Sequence, residues 1–246
     1  MIKLAVIGDL HIGMTYRGDD WNTNIGRCLD QIILSLEEDK PDYIIQLGDI
    51  FDSASPSLDS LAFFAKYHVK LEELAEVFYC RGNHDAKTNK LDKSDVFDFL
   101  EVIFPDAIFV SKKPKVFKLE DTEYKFLFLS HLTSRDLEIY NKENDKDYET
   151  VQEWIDDYAN SLSSEAKYIA FSHLGFNGAK NGSEVDMPYG RELHIPMNII
   201  EHDSVELIMN GHFHTPQECG KIICPGTIEN LRFGEGTERH YYRLEI

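Results

Sequence analysis

Tyr43-Ile44-Ile45-Gln46-Leu47-Gly48-Asp49-Ile50-Phe51-Asp52 is a short apolar run that closes abruptly in glycine and carboxylates. A run of this length, apolar at nearly every position, suits a strand buried on both faces of a sheet. The pattern occurs twice more. Residues 2–8 lead into Asp9-Leu10-His11, and residues 75–80 lead into Arg81-Gly82-Asn83-His84-Asp85. Glycine beside the polar residues permits tight turns and close backbone approach. Active sites in open α/β sheets gather outside the carboxyl ends of strands. These clusters therefore point to one site assembled from distant segments.

Around them, strand-like and helix-like segments alternate. Ile25, Cys28, Leu29, Ile32, Ile33 and Leu36 recur at helical spacing within residues 24–38. The pattern predicts further helices over residues 58–74 and 150–162. It predicts strands over 107–110, 115–119, 124–130, 168–172 and 205–209. Short antiparallel strands are expected at 218, at 222–223 after a turn at Gly220, and at 241–244. With no long linker, repeat or low-complexity tract, the 246 residues read as one domain. No apolar run approaches the length needed to cross a bilayer, and the N-terminus reads as a strand rather than a signal peptide. Cys28, Cys80, Cys219 and Cys224 are expected as reduced thiols in a cytoplasmic setting. The formal charge of −19 favours solubility and opposes casual binding to DNA.

Two more polar clusters follow predicted strands: Ser172-His173 and Gly211-His212-Phe213-His214. In Asp-x-His and His-x-His, both side chains of a pair can point the same way from extended backbone. Mixed carboxylate and imidazole donors suit manganese, iron or zinc better than calcium. Two cations about 3.5–4 Å apart can clamp a phosphoryl group, and a carboxylate must bridge them because dications so close repel. Taken singly, an aspartate after a strand is usually a cap or turn residue, and Asn83 alone would read as a turn. The five clusters in this order carry the metal reading.

That order, D-x-H, G-D, G-N-H-D, H and G-H-x-H, resembles the calcineurin-like metallophosphoesterase superfamily over nearly the whole chain. The resemblance implies an α/β fold: a β-sandwich of two mixed sheets flanked by helices, in four layers, α/β/β/α. It implies that Asp9, His11, Asp49 and His214 take one divalent metal and Asp49, Asn83, His173 and His212 a second, with Asp49 bridging. His84 would stabilise the transition state or protonate the leaving oxygen, and Asp52 would orient His84. The implied reaction is in-line attack of an activated water on a phosphate ester.

Phosphoprotein phosphatases usually carry arginine after the aspartate matching Asp52, whereas Ser53 stands there in this chain. Gly48-Asp49-Ile50-Phe51-Asp52-Ser53-Ala54-Ser55-Pro56-Ser57 is similar to the nuclease subunit of SbcCD-type complexes. So are Asp9-Leu10-His11-Ile12-Gly13, and Ile222-Ile223-Cys224-Pro225-Gly226-Thr227-Ile228-Glu229 followed by Phe233-Gly234-Glu235. This branch implies a manganese-dependent DNA exonuclease or endonuclease of repair or recombination, with magnesium, iron or zinc as alternative metals. It also implies a coiled-coil ATPase partner of the SbcC type, and a homodimer joined by helices near residues 58–74 and 92–100. The sequence ends at Leu244-Glu245-Ile246, so the family's capping domain and C-terminal ATPase-binding helices are expected to be absent and ATPase binding stays open. A small-molecule phosphodiesterase or phosphatase is the alternative that the acidic charge favours, and a non-catalytic metal scaffold is a third.

Lys112, Lys113, Lys115 and Lys118, and Lys87, Lys90 and Lys93, are the densest basic stretches; a solvated edge is expected before a DNA contact. Residues 143–153 read as a solvated helix start. Arg191, in the loop after His173, could touch phosphate. His131 mimics His173 in following a strand, yet a supporting or surface role is expected. His68, His194, His202 and His240 have no partner at ligand spacing. Cys219 and Cys224 flank a turn, where packing is expected before zinc. Trp21 and Tyr16 could stack on a base or pack within their loop.

Overall fold

The structure is a computed structural model that describes residues 1–16, 18–86, 94–120, 122–180, 193–231 and 238–246. Four parallel strands, β1 (Lys3–Ile7), β4 (Tyr43–Gln46), β5 (Glu76–Cys80) and β6 (Ile108–Val110), form one sheet, closed at its edge by antiparallel β13 (Tyr242–Glu245). The second sheet runs β11 (Gln217–Cys219), β12 (Ile222–Cys224), β10 (Val205–Asn210), β9 (Lys167–Ser172), β8 (Tyr124–Leu129) and β7 (Lys115–Lys118). Its two edge strands are antiparallel to their neighbours. A small hairpin, β2 (Thr15–Tyr16) with β3 (Asp19–Asp20), stands apart from both.

Strand alternation sorts the side chains into layers. Leu4 and Val6 of β1, Ile45 of β4, and Phe78 and Cys80 of β5 face the second sheet, where they meet Phe126, Phe128, Ile169, Phe171 and Met209. The intervening Ala5, Ile7, Ile44, Val77 and Tyr79 face outward onto α1 (Asn22–Asp39), α2 (Leu58–Glu72) and α3 (Val96–Ile103). On the far side, Leu127, Leu129, Tyr168, Ala170 and Ile208 pack against α4 (Ser134–Asn144), α5 (Val151–Asn160) and α6 (Met197–Ile200). The expected four-layer α/β/β/α sandwich of two mixed sheets is thus present. The inner strands β1, β4, β5, β8 and β9 are buried on both faces over most of their length, which is why their sequences read as apolar runs.

Helix starts follow local chemistry. Ser57 caps α2 by accepting from Ser60 N, and Asp95 and Thr133 each complete a capping box at the heads of α3 and α4. The Asp95 cap moves the helix expected near residues 92–100 to Val96–Ile103. Helix α4 was not expected at all. It buries only Asp136 and Leu137, too little for an apolar stripe to show in the sequence. Among the described residues no helix is long and apolar enough to cross a membrane.

His68 is a core histidine. It stacks on Phe64, meets Phe104 edge-on, and shares a 2.9 Å hydrogen bond between Nδ1 and the Tyr79 hydroxyl. Burial pulls its pKa from 6.5 down to about 4, although Glu72 Oε1 lies 3.6 Å from Nε2. Below pH 6.5 the unfolded chain takes up this proton and the folded chain does not. Its contribution to stability is therefore full above pH 6.5 and is lost as pH falls toward 4. Melting temperatures recorded from pH 7 to pH 4 are expected to fall more steeply for the wild type than for His68→Gln; parallel curves would refute this.

Candidate metal centre

Each polar cluster lies just past the carboxyl end of a strand. Asp9 and His11 follow β1, Asp49 and Asp52 follow β4, and Asn83 and His84 follow β5; His173 follows β9, and His212 and His214 follow β10. Asp9, His11, Asp49 and His173 are each at most 1% exposed. The structure brings them together as two overlapping groups. Asp9, His11 and His214 each bring a donor atom within 4.8 Å of the others, and so do Asp9, Asp49 and His173. His11 Nε2 lies 3.1 Å from His214 Nε2 and 3.7 Å from Asp49 Oδ2. The same Oδ2 lies 3.3 Å from His173 Nε2. Asn83 Oδ1 stands 3.0 Å from His173 Nε2 and 3.1 Å from His212 Nδ1. Asp49 therefore stands between an Asp9/His11/His214 set and an Asn83/His173/His212 set.

Main-chain contacts fix the orientation of these side chains. His173 Nδ1 donates to Leu47 O at 2.7 Å, which turns Nε2 toward Asn83 and Asp49. Both Asp9 oxygens accept from His212 N, at 3.2 and 3.1 Å. Asp49 Oδ1 accepts from His84 N at 2.8 Å. A Cβ on Gly82 would sit 2.1 Å from Asp49 Oδ1, so only glycine lets the two loops close to this distance. Three donor residues also hold left-handed backbone: His11 at φ 50°, Asp49 at 47° and His212 at 76°. Among the described residues, the other two non-glycine residues at positive φ, Lys40 and Asp145, merely close α1 and α4. Strained backbone thus coincides with the donor set.

The electrostatics fit divalent cations. Burial pushes the Asp9 carboxyl up to about 7, against the pull of His173. Burial also opposes the charges of Asp49 and His173, but each answers the other: Asp49 is held well below the usual carboxylate range, and His173 is drawn up to about 9 by Asp49 and Asp9. His84 is raised as well, because Asp49 and the Asp52 carbonyl outweigh its burial. A nest of carboxylates, imidazoles and one amide oxygen converges here at 3.0–3.7 Å. Divalent cations compensate such a nest.

Asp52 departs from expectation. His84 Nδ1 lies 3.0 Å from the main-chain oxygen of Asp52, not from its carboxylate. The carboxylate lies 3.3 Å from His11 Nδ1. Asp52 thus orients His84 through its backbone and faces His11 with its side chain, as a carboxylate does behind a metal-ligating imidazole. Asp52→Asn is expected to weaken metal binding about 10–100-fold, measured by titration calorimetry. Unchanged affinity would return the carboxylate to a role on His84 alone.

Arg191, Lys87, Lys90, Lys93 and the Phe233-Gly234-Glu235 stretch lie outside the described residues, and the Tyr16 side chain does too. Lys112 is taken by Asp98 at 2.5 Å and Glu101 at 3.7 Å, and Lys115 lies over the Phe117 ring. His131 stands beside the site, where burial lowers its imidazole to about 3. Its main chain, not its ring, does the supporting: its oxygen accepts from the Arg81 guanidinium. Cys219 and Cys224 sit on β11 and β12 out of register with each other, Gln217 being opposite Cys224. Trp21 packs against the core at the head of α1.

Several supporting residues were not foreseen. Gln46 accepts from Gly48 N at 3.0 Å and donates to Gly48 O at 2.6 Å, pinning the loop that carries Asp49. Asp85 is 0% exposed and accepts from Ile50, Phe51 and Gly82 main-chain N–H groups, tying that loop to the Asn83 loop. Asn210 spans β9 and β10 by accepting from Ser172 Oγ and Leu174 N. The signal for Gln46 was a lone amide inside an apolar strand, which must find partners when buried.

A profile of the calcineurin-like phosphoesterase family matches residues 2–216. A dimetal phosphatase from Danio rerio is 13% identical, with a TM-score of 0.62 over 98% of this chain and 91% of that one. A purple acid phosphatase from yellow lupin, Lupinus luteus, is 17% identical with a TM-score of 0.50 over 88% of this chain; the match spans 39% of the lupin chain. At these identities the likeness to both is one of fold.

Proposed function

The chain belongs to the calcineurin-like phosphoesterase family, as a metal-dependent hydrolase with residues arranged for two divalent cations, and on that premise we propose that it cleaves phosphodiester bonds of DNA using manganese. Asp9, His11, Asp49 and His214 would hold one cation, and Asp49, Asn83, His173 and His212 the other. When bound, such a pair polarises a phosphoryl oxygen and lowers the pKa of water. The observation that carries the hydrolytic reading is the Asp49 carboxylate, whose Oδ2 lies 3.7 Å from His11 Nε2 and 3.3 Å from His173 Nε2.

His84 is the proposed acid. With Nδ1 committed to Asp52 O at 3.0 Å, its Nε2 is left for a substrate oxygen. The ring meets His11 edge-on at 4.8 Å, so it would border the cations without entering either proposed donor set. A protonated Nε2 there would stabilise charge on the leaving oxygen or protonate it.

The DNA reading rests on the segment from Gly48 to Ser57, which resembles the SbcCD-type nuclease subunit, and on Ser53 standing where phosphoprotein phosphatases carry arginine. A small phosphodiester or phosphomonoester is the second reading. The charge of −19 and the commitment of Lys112 to Asp98 and Glu101 favour it. Purified protein with manganese, offered labelled duplex DNA, single-stranded DNA, a chromogenic phosphodiester and a chromogenic phosphomonoester, separates the two. DNA cleavage is expected; turnover of only the small esters would sink the DNA reading and keep the hydrolase.

A homodimer through α2 and α3 belongs to the same reading. Phe99, Val102 and Ile103 of α3 are 47%, 77% and 50% exposed, an apolar face that a second copy could cover. Val102→Asp is expected to halve the mass measured by size-exclusion chromatography with light scattering. A wild-type chain that already runs as a monomer would exclude the dimer.

A further inference from the structure

We infer that Arg81 is a positioning residue for the Asn83/His173/His212 set, fixing where Asn83 stands against the opposite sheet; this rests on the two-cation reading above. Arg81 immediately follows β5 and is 1% exposed. Its Nε and Nη2 donate to His131 O at 3.1 and 3.0 Å. Its Nη1 donates to Asp95 Oδ2 at 2.8 Å, and its Nη2 also to Asp136 Oδ2. The main chain closes the grip, because Arg81 O accepts from His131 N at 2.9 Å.

Arg81, beside the first sheet, and these partners together span every layer of the sandwich. His131 follows β8 of the second sheet, Asp95 caps α3 on one outer face, and Asp136 belongs to the capping box of α4 on the other. One guanidinium therefore joins both sheets and both helical layers directly beneath the loop of Asn83 and His84. Two residues further on, Asn83 Oδ1 must meet His173 and His212 of the opposite sheet at 3.0 and 3.1 Å. A slip between the sheets of about 1 Å would part them. Burying a guanidinium with two carboxylates costs desolvation that apolar side chains would avoid. What the arrangement delivers is fixed geometry.

The Asp9/His11/His214 set has a separate brace. Ile228 N donates to Asp9 O at 3.2 Å, Thr227 N donates to His214 O at 3.1 Å, and Arg239 also donates to His214 O. Loss of Arg81 should therefore fall on one set and spare the other.

The test is titration of wild type, R81K and the charge-neutral R81M/D95N/D136N with Co2+, followed by calorimetry and visible absorption, at a temperature where circular dichroism shows each folded. N83A and H214A mark the loss of each set. In R81K and the triple variant one binding step is expected to weaken tenfold or more, with the absorption change of N83A, while the other stays within twofold. Two intact steps, two steps weakened alike, or a loss resembling H214A would overturn the positioning role. A wild type that binds a single Co2+ would instead remove the two-cation reading, and the Arg81 role with it.

Discussion

Asp49→Ala is expected to lower phosphoester turnover by about 10³-fold or more, equivalent to roughly 4 kcal/mol of transition-state stabilisation. The carboxylate faces both donor sets, so on the proposed assignment its removal would take a ligand from each cation and the negative charge between them. Bound manganese, measured by elemental analysis after desalting, should fall together with turnover of a chromogenic phosphodiester. The fold should survive. Asp49 accepts from His84 N and faces His173 and His11 at 3.3 and 3.7 Å, and contacts of this kind are worth only about 1–3 kcal/mol each. An Asp49→Ala protein that turns over within tenfold of wild type, with its manganese intact, would dismantle the bridging role and the metal centre with it.

His84→Ala separates chemistry from metal binding. Loss of a positioned acid costs about 10²–10⁴-fold in kcat, while manganese content should match wild type. His84 does share a cluster with His11 and Asp52, so the alternative is concrete. If the variant loses an ion, His84 is a ligand. If it keeps both ions and its kcat, the leaving oxygen takes its proton elsewhere.

The sandwich was readable because its inner strands are buried on both faces and so appear as apolar runs, and because glycine and ligand-type residues punctuate those runs. Residues 43–52 alone carry a strand, a turn and the proposed bridging carboxylate. The donor constellation was readable for the same reason: its members sit within four residues of strand ends. What escaped notice lacked a local signal. Helix α4 has almost no apolar stripe. Hairpin β2–β3 is two residues on each side. The Asp52 carboxylate turning to His11 depends on a side-chain rotation that no spacing encodes. Arg81 was quoted in its motif but given no role, because its partners Asp95, His131 and Asp136 lie 14, 50 and 55 residues away.

His11, Asp49 and His212 each occupy a backbone conformation that L-residues avoid, at about 1–2 kcal/mol apiece. Directed evolution that rewarded heat resistance alone would find glycine or asparagine attractive at all three positions. The sturdiest descendants of such a campaign would be inert, so any effort to harden this protein must score catalysis in every round.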